Sequence, residues 1–346
     1  MKALLLSKYR QLELTQTADP KIAADEVLIR VEACGICGSD VHGYDGSSGR
    51  RIPPIVMGHE AAGTIVEVGL EVRGLQAGDR VTLDSTVYCG QCPNCLRGQI
   101  NLCDQRQVLG VSCGEYRRAG AFAEFVAAPA RIVHKLPDSI SFPEASMLEA
   151  VAVAMHAVSL AEAPPDGSAL VIGAGTIGLL ILQALRAAGY SRVFITDVDD
   201  TRLKLAKDLG ATETILADAN TLDRISKLTS GTGADVALEA VGRTETIKSA
   251  ISSVRKGGTV VLVGNISPEV TIPLQAVVSR QIRLQGSCAS SGEYPRAIEL
   301  MAKGAINVKP LISAIAPLED GPRWFERLYS HEPNLMKVVL APGMHS

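Results

Sequence analysis

The segment that decides the fold runs from 169 to 197 and reads ALVIGAGTIGLLILQALRAAGYSRVFITD. Its four opening apolar residues are too few for a helix and are followed by glycine, which predicts a buried strand. The next apolar residues recur at helical spacing until Gly189, which is expected to end the helix. A second apolar run then carries Asp197 at its end. The order of strand, glycine turn, helix and strand predicts a parallel α/β sheet.

The glycine turn of this segment, Gly173-Ala174-Gly175-Thr176-Ile177-Gly178, follows the pattern G-x-G-x-x-G. Gly173 permits the tight turn, Gly175 lets the backbone approach a pyrophosphate, and Gly178 lets the helix lie close to the sheet. The first helical turn, with Thr176 and Ile177, offers free N–H groups to the phosphates. Together with an acidic residue after the second strand, the pattern predicts dinucleotide binding. A glycine turn in another kind of α/β protein is the alternative.

The rest of the chain divides into segments that differ in their pattern of predicted strands and helices. Residues 1–150 are β-rich, whereas 151–290 alternate between apolar strands and helical stretches, which predicts a doubly wound parallel sheet. Residues 291–346 are expected to return to the first domain. The six strands predicted in the second domain are Ala169–Ile172, Val193–Thr196, Glu213–Leu216, Val236–Ala240, Thr259–Val263 and Ile282–Gln285. The predicted fold class is therefore α/β with two domains.

Composition excludes several classes of partner. The chain has 346 residues, 47% hydrophobic and 21% charged, which are ordinary values for a globular protein. A net charge of −3 without a basic block gives no reason to expect nucleic acid or an anionic membrane. We find neither a signal-peptide pattern nor a run of about 20 apolar residues, so we expect a cytoplasmic protein. Its eight cysteines are then expected to be metal ligands or buried thiols rather than disulfides.

One loop holds four of these cysteines, at Cys89, Cys92, Cys95 and Cys103. Four thiolates at such close spacing can complete a tetrahedral shell around Zn²⁺ with no open position, which is typical of a structural site. An iron–sulfur cluster and coincidental free thiols are the alternatives.

A second candidate metal site involves Cys37 and His59. Cys37 opens the run Cys37-Gly38-Ser39-Asp40-Val41-His42, and His59 lies in Gly58-His59-Glu60. Spacing alone is weak evidence here, because a histidine beside a glutamate is more often structural and a lone cysteine is usually a small buried hydrophobe.

These motifs, taken in order with Gly78-Asp79-Arg80-Val81, the four-cysteine loop and the glycine turn, resemble the zinc-dependent medium-chain alcohol dehydrogenases. The resemblance covers essentially the whole chain and is closest to the polyol (sorbitol- and galactitol-phosphate-like) and threonine dehydrogenase branch. It implies that the β-rich domain is GroES-like and that the parallel-sheet domain is a Rossmann domain.

The resemblance also implies roles for individual residues around a catalytic zinc. Cys37, His59 and Glu149 are the implied ligands, and Glu60 coordinates transiently or when substrate is absent. Ala150 stands where the polyol branch carries a proline after the glutamate. The fourth position is left open for water or the substrate oxygen, as a catalytic zinc requires.

The implied proton relay consists of Ser39, Asp40 and His42. Ser39 accepts the substrate proton, Asp40 orients the ligand histidine and His42 forms the outer end of the relay. A serine–aspartate pair after a cysteine can instead simply cap a helix. Val153 is implied to lie near the nicotinamide, although it could equally be helix core.

The expected coenzyme is NAD, because the carboxylate of Asp197 accepts hydrogen bonds from ribose hydroxyls and repels a 2′-phosphate. Arg202 matches a basic position near the adenosine ribose in the family and could soften that repulsion. Arg117, Arg118 and Glu115 could meet a polar substrate or be solvated loop charges.

The implied reaction transfers a hydride reversibly from a secondary alcohol to NAD, with a polyol or sugar alcohol, phosphorylated or not, as substrate. An L-threonine or 2,3-diol dehydrogenase is the alternative within the family. From another class, a non-catalytic nucleotide-binding protein of the same fold is the alternative. Family members commonly pair through the sheet edge at Ile282–Gln285, which implies a homodimer or homotetramer.

Overall fold

The computed structural model describes residues 1–113, 116–162 and 166–344. The strands are β1 (Lys2–Lys8), β2 (Gln11–Gln16), β3 (Glu26–Gly35), β4 (Ile55–Val56), β5 (Glu60–Val68), β6 (Arg80–Leu83), β7 (Thr86–Val87), β8 (Gln107–Val108), β9 (Ser112–Cys113), β10 (Tyr116–Arg117), β11 (Phe125–Pro129), β12 (Val133–Lys135), β13 (Ser168–Ile172), β14 (Arg192–Asp197), β15 (Glu213–Leu216), β16 (Ala234–Glu239), β17 (Val254–Leu262), β18 (Arg283–Gly286), β19 (Ile312–Pro317) and β20 (Lys337–Ala341).

The α-helices are α1 (Gly38–Tyr44), α2 (Pro93–Leu96), α3 (Phe142–Ala145), α4 (Leu148–Ser159), α5 (Thr176–Ala187), α6 (Asp200–Asp208), α7 (Thr221–Leu228), α8 (Thr244–Ser253), α9 (Leu274–Ser279), α10 (Tyr294–Ala302) and α11 (Gly321–Tyr329). Short 3-10 turns lie at Ile100–Leu102, Ala130–Ile132, Lys309–Leu311 and Leu318–Asp320. Among the described helices, none combines the length and the apolar composition that a membrane-spanning segment requires.

The first compact unit comprises residues 1–149, 294–302 and 308–346. Its main sheet has the order β12-β6-β5-β3-β20-β19, and β11 also pairs with β3. Side chains of β3 alternate between buried and more exposed positions, with Val27, Ile29 and Val31 in the core. Strand β3 pairs with β5, β11 and β20, and it ends two residues before Cys37.

The second compact unit comprises residues 150–293 and 303–307. Its six strands are all parallel, in the order β15-β14-β13-β16-β17-β18. The central β13 is buried at every position, as expected for a strand covered by helices on both faces. The strand order reverses between β13 and β16, which is where doubly wound sheets bind ligands. The predicted fold class is confirmed.

One aspartate joins three strands of this sheet at the start of β13. Asp235 accepts hydrogen bonds from the backbone N–H (2.8 Å) and hydroxyl (3.1 Å) of Ser168 and from Nε of Arg255 (2.6 Å). Burial alone would raise the pKa of Asp235, but these hydrogen bonds and the Arg255 charge lower it below its usual value. The ionised carboxylate therefore stabilises the folded second unit.

We expect Asp235→Asn to lower the free energy of unfolding by about 2 kcal/mol at pH 7, because hydrogen bonds to a charged group are lost. Since the folded pKa is depressed, this contribution is fully present above the unfolded pKa of about 3.9 and fades as the pH falls below it. Urea unfolding from pH 7 to pH 3 measures the difference between wild type and variant, which should shrink with acid. Asp208→Asn, on the exposed end of α6, is the control and should change little.

Candidate active site and metal centres

The first site is built where β3 passes into α1. Cys37 has extended backbone angles (φ −81°, ψ 150°) and precedes the first helical turn. Its N–H donates to Oδ2 of Asp40 (3.2 Å), so this aspartate does cap the helix. The same carboxylate is completely buried, and its Oδ1 lies 3.4 Å from Nδ1 of His59. Asp40 thus caps the helix and also lies beside the imidazole of His59.

The side chains of Cys37, His59 and Glu60 converge, with one potential ligand atom of each within 4.8 Å of the others. Thiol, imidazole and carboxylate are the donor set that Zn²⁺ takes in proteins. His59 is 5% exposed, and its Nδ1 is buried without a hydrogen-bond partner of acceptable geometry among the described residues. Because this nitrogen faces Oδ1 of Asp40, a metal ion would bind the other ring nitrogen, and the Asp40 carboxylate would then fix the orientation of the ring.

Glu60 has a second partner that sequence reasoning missed. Nζ of Lys337, at the start of β20, lies 2.7 Å and 2.6 Å from the two carboxylate oxygens. Both side chains are almost fully buried, at 4% and 1% exposure. Burial would lower the pKa of Lys337, but the Glu60 charge raises it above its usual value, so the lysine stays protonated. The only sequence signal was a lysine that opens an otherwise apolar strand.

Glu149 lies in the first turn of α4 and is not part of the three-residue cluster. Loss of hydration raises the pKa of this carboxyl to about 7, with Glu60 adding to the rise and His59 opposing it. These influences show that Glu149 shares the electrostatic environment of the cluster. A metal ligand must be deprotonated, so binding of a cation here would release the proton that burial favours.

The predicted relay residues lie along α1. Ser39 is exposed, whereas Asp40 is buried and His42 is half-buried. Burial would raise the pKa of Asp40, but the charges of His59 and Arg51 hold it well below its usual range. Asp40 is therefore ionised. Arg51, which sequence reasoning also missed, contacts both Ser39 and Asp40.

The four-cysteine loop forms the second candidate metal centre. Ligand atoms of Cys89, Cys92, Cys95 and Cys103 lie within 4.8 Å of one another, and all four are free thiols. Backbone N–H groups of Gln91 and Cys92 donate to Sγ of Cys89 and lower its pKa to about 6. Burial, in contrast, raises the pKa of Cys95 to about 12. Four thiolates cannot coexist here without a compensating cation, and this donor set fits a closed zinc site.

The glycine turn has the geometry of a phosphate cradle. Gly173 has φ +97°, and a Cβ on Gly178 would lie 1.8 Å from the carbonyl oxygen of Gly173. No described atom lies within 4 Å of a Cβ placed on Gly175, so open space faces the backbone there. Helix α5 begins at Thr176 without a side-chain cap, which leaves the N–H groups of its first turn, including Ile177, to face an anion. The residues present fit a dinucleotide.

Asp197 ends β14 beside this turn. Its Oδ2 accepts from the N–H of Ala174 (2.5 Å) and its Oδ1 from the N–H of Asp199 (2.9 Å). The residue is 9% exposed, and its carboxylate anchors the glycine turn. Asp199 in turn caps α6 and lies 3.5 Å from Nε of Arg202.

Among the remaining predicted residues, Val153 is half-buried on α4. Arg118 forms an ion pair with Glu26, which favours a structural role for that loop charge. Glu115 and the side chain of Arg117 lie outside the described residues.

Comparisons with known proteins agree with this geometry. Residues 23–138 match the family model of the alcohol dehydrogenase GroES-like domain, and residues 176–303 match that of the zinc-binding dehydrogenases. The sorbitol dehydrogenase of Bacillus subtilis (strain 168) is 34% identical over 348 residues, which cover 99% of this chain and 98% of that protein.

Two solved structures share the architecture but hold different nucleotides. An alcohol dehydrogenase of Escherichia coli CFT073 in complex with NADH has a TM-score of 0.90 at 29% identity, covering 99% of both chains. A structure of the zinc-binding dehydrogenase class from Sinorhizobium meliloti 1021, bound to NADP, has a TM-score of 0.88 at 31% identity, also covering 99% of both. The chain therefore belongs to the zinc-dependent medium-chain alcohol dehydrogenase family and is an oxidoreductase.

Proposed function

We propose that the protein oxidises a polyol or sugar alcohol at a secondary hydroxyl, reversibly, with NAD as hydride acceptor. The observation that carries the proposal is the convergence of Cys37, His59 and Glu60 beside the buried, ionised Asp40. The relative named sorbitol dehydrogenase supports a polyol as the substrate class. The first unit would act as the catalytic domain and the second as the coenzyme domain.

Cys37, His59 and Glu149 would hold the catalytic zinc, with Glu60 retained by Lys337 beside them. Zinc bound there would supply a Lewis acid that lowers the pKa of an alcohol. The four-cysteine loop would hold a second, structural zinc that stabilises a segment with little apolar content of its own.

The chain itself handles the proton. Ser39 is exposed on the first turn of α1 and accepts the proton of the alcohol, and its own hydroxyl proton passes outward to His42 or to water. Asp40 remains ionised and orients the imidazole of His59. A bound nicotinamide coenzyme would supply the hydride acceptor, and Val153 is the residue that would give its ring an apolar contact.

We expect the enzyme to prefer NAD over NADP because of Asp197. Asp197→Ala should lower kcat/KM for NAD by about 10- to 100-fold, since a charge-assisted hydrogen bond to the ribose is lost. The ratio of kcat/KM for NADP to that for NAD should rise, because the repulsion of the 2′-phosphate is lost as well. Steady-state kinetics with both coenzymes measure this, with Asp208→Ala at the far end of α6 as the control. An unchanged ratio would contradict the role of Asp197.

The substrate class is tested by following NAD reduction over a panel of sugar alcohols, their phosphates, 2,3-diols and L-threonine. Turnover with polyols and none with threonine supports the proposal, whereas turnover with threonine or diols alone assigns the alternative. A zinc-replete protein that binds NAD but turns over no member of the panel would contradict the proposal.

The oligomeric state is proposed to be a dimer or tetramer formed through the edge of the second unit. Strand β18 ends the sheet with only β17 as its partner among the described strands. The adjacent α9 exposes Leu274 and Val278 at 64% and 70%. Light scattering should give at least a dimer for wild type and a smaller mass for Val278→Asp.

A further inference from the structure

Arg51 is a buried cation that the reaction described above does not use. It follows α1 in the chain, and only 2% of the residue is exposed. Its aliphatic stem rests on the backbone of α1, because a Cβ added to Gly43 would lie 2.1 Å from Cγ of Arg51. The glycine at this position leaves room for the stem, and the guanidinium is therefore held against the first turn of the helix.

The guanidinium donates to two consecutive residues of that turn. Nη2 lies 2.8 Å from Oδ1 of Asp40, and Nε lies 3.3 Å from the same oxygen. Nη2 also lies 3.0 Å from Oγ of Ser39. Pairing with Asp40 explains how a buried cation is tolerated. The bond to Ser39 is not needed for that pairing and requires a separate explanation.

The direction of this hydrogen bond is fixed by chemistry. A guanidinium has only donors, so Oγ of Ser39 must be the acceptor. One of its two lone pairs is then occupied, and the other lone pair and the hydroxyl proton remain for other partners. Arg51 keeps its charge at any ordinary pH and cannot take up the proton itself.

We infer that Arg51 is a positioning residue that holds Oγ of Ser39 in the orientation that receives the proton of the alcohol. The inference rests on the proposed role of Ser39. In the step, the alcohol O–H bond breaks, a bond forms between that proton and Oγ, and the original Oγ proton moves to His42 or water. The hydride of the same alcohol carbon goes to the nicotinamide, and Arg51 neither gains nor loses a proton.

Without Arg51, the exposed hydroxyl of Ser39 can turn between its three staggered rotamers. Only a fraction of the molecules would then present the free lone pair to the substrate. The effect should fall on kcat rather than on KM, because the substrate itself does not contact the buried guanidinium. A purely structural role through Asp40 would not depend on the Ser39 hydroxyl.

The test is a double-mutant cycle of Arg51→Met and Arg51→Lys with Ser39→Ala, measured on the zinc-loaded enzyme with its best alcohol and NAD. In the Ser39 background, each Arg51 variant should lower kcat by about 10- to 100-fold with KM little changed. In the Ser39→Ala background, the same changes should cause little further loss. Zinc content should stay at the wild-type value, since no proposed ligand is altered.

Arg51→Lys guards against misfolding of the methionine variant. Lysine keeps a positive charge beside Asp40, but its single ammonium lacks the planar fork with which Arg51 serves both partners. The control is Arg80→Met, which removes hydrogen bonds to the carbonyls of Pro137 and Ile140 elsewhere in the same unit. It should leave the solvent deuterium isotope effect on kcat unchanged, whereas the Arg51 variants should increase it.

Three outcomes would overturn the inference. The Arg51 variants could lower kcat equally with Ser39 and with Ala at position 39, or Arg51→Lys could retain the wild-type kcat. Loss of zinc in both Arg51 variants would be the third. If Ser39→Ala alone leaves kcat unchanged, the proposed role of Ser39 fails, whatever the Arg51 variants show.

Discussion

Lys337→Met is expected to lower the free energy of unfolding by about 3–5 kcal/mol, because it leaves the carboxylate of Glu60 buried without its partner. The ion pair is almost fully buried, and Nζ bonds both carboxylate oxygens. The carboxylate also lies against the chain at Gly35, where a Cβ would be 2.3 Å from Oε2, so Glu60 cannot easily turn toward solvent. Urea unfolding with excess chelator measures the loss without interference from a bound metal.

Two further variants test whether the loss of stability arises from the burial of the ion pair. Lys204→Met removes an equally short pair with Asp200, but that pair is exposed, and its loss should leave the unfolding midpoint nearly unchanged. The double variant Lys337→Met/Glu60→Leu removes both buried charges and should recover most of the lost stability. A small loss in Lys337→Met, or no recovery in the double variant, would show that the pair is solvated in the folded protein.

Cys37→Ser is expected to lower kcat/KM for alcohol oxidation by at least about 1,000-fold, because the zinc that stabilises developing charge by several kcal/mol is lost. Coenzyme binding should persist, since the glycine turn lies in the other unit. NADH fluorescence titration and steady-state kinetics separate the two effects. Cys34→Ala, at a buried thiol only three residues away, should keep both the zinc and the activity.

Most of the second unit could be predicted from the sequence because its strands and longer helices carry local signals. The strand predicted at Glu213–Leu216 is observed with those bounds as β15. Short apolar runs bounded by glycine residues are typical of buried parallel strands. The short α9 was not predicted, because six residues are too few to show apolar residues recurring at helical spacing.

The candidate site could be predicted only in part. The residues of the two metal centres lie in recognisable local motifs, whereas Lys337 and Glu60 are 277 positions apart and meet only after the sheet has formed. The sequence also does not decide between Glu60 and Glu149 as neighbours of Cys37 and His59. The structure places Glu60 in the close cluster and Glu149 nearby in the same electrostatic environment. Glu60 and Glu149 differ in the direction in which their side chains point, and tertiary packing sets that direction.

The most direct test of the two-site assignment counts zinc per chain in wild type, Cys37→Ser and Cys103→Ser by elemental analysis, alongside NAD-dependent alcohol oxidation. We expect two zinc ions in wild type and one in each variant, with the remaining ion of Cys37→Ser bound to the four-cysteine loop and catalysis lost. Cys103→Ser should retain turnover while it stays folded. A single zinc in wild type, or full activity in Cys37→Ser, would contradict the assignment of the Cys37 and His59 site as the catalytic centre.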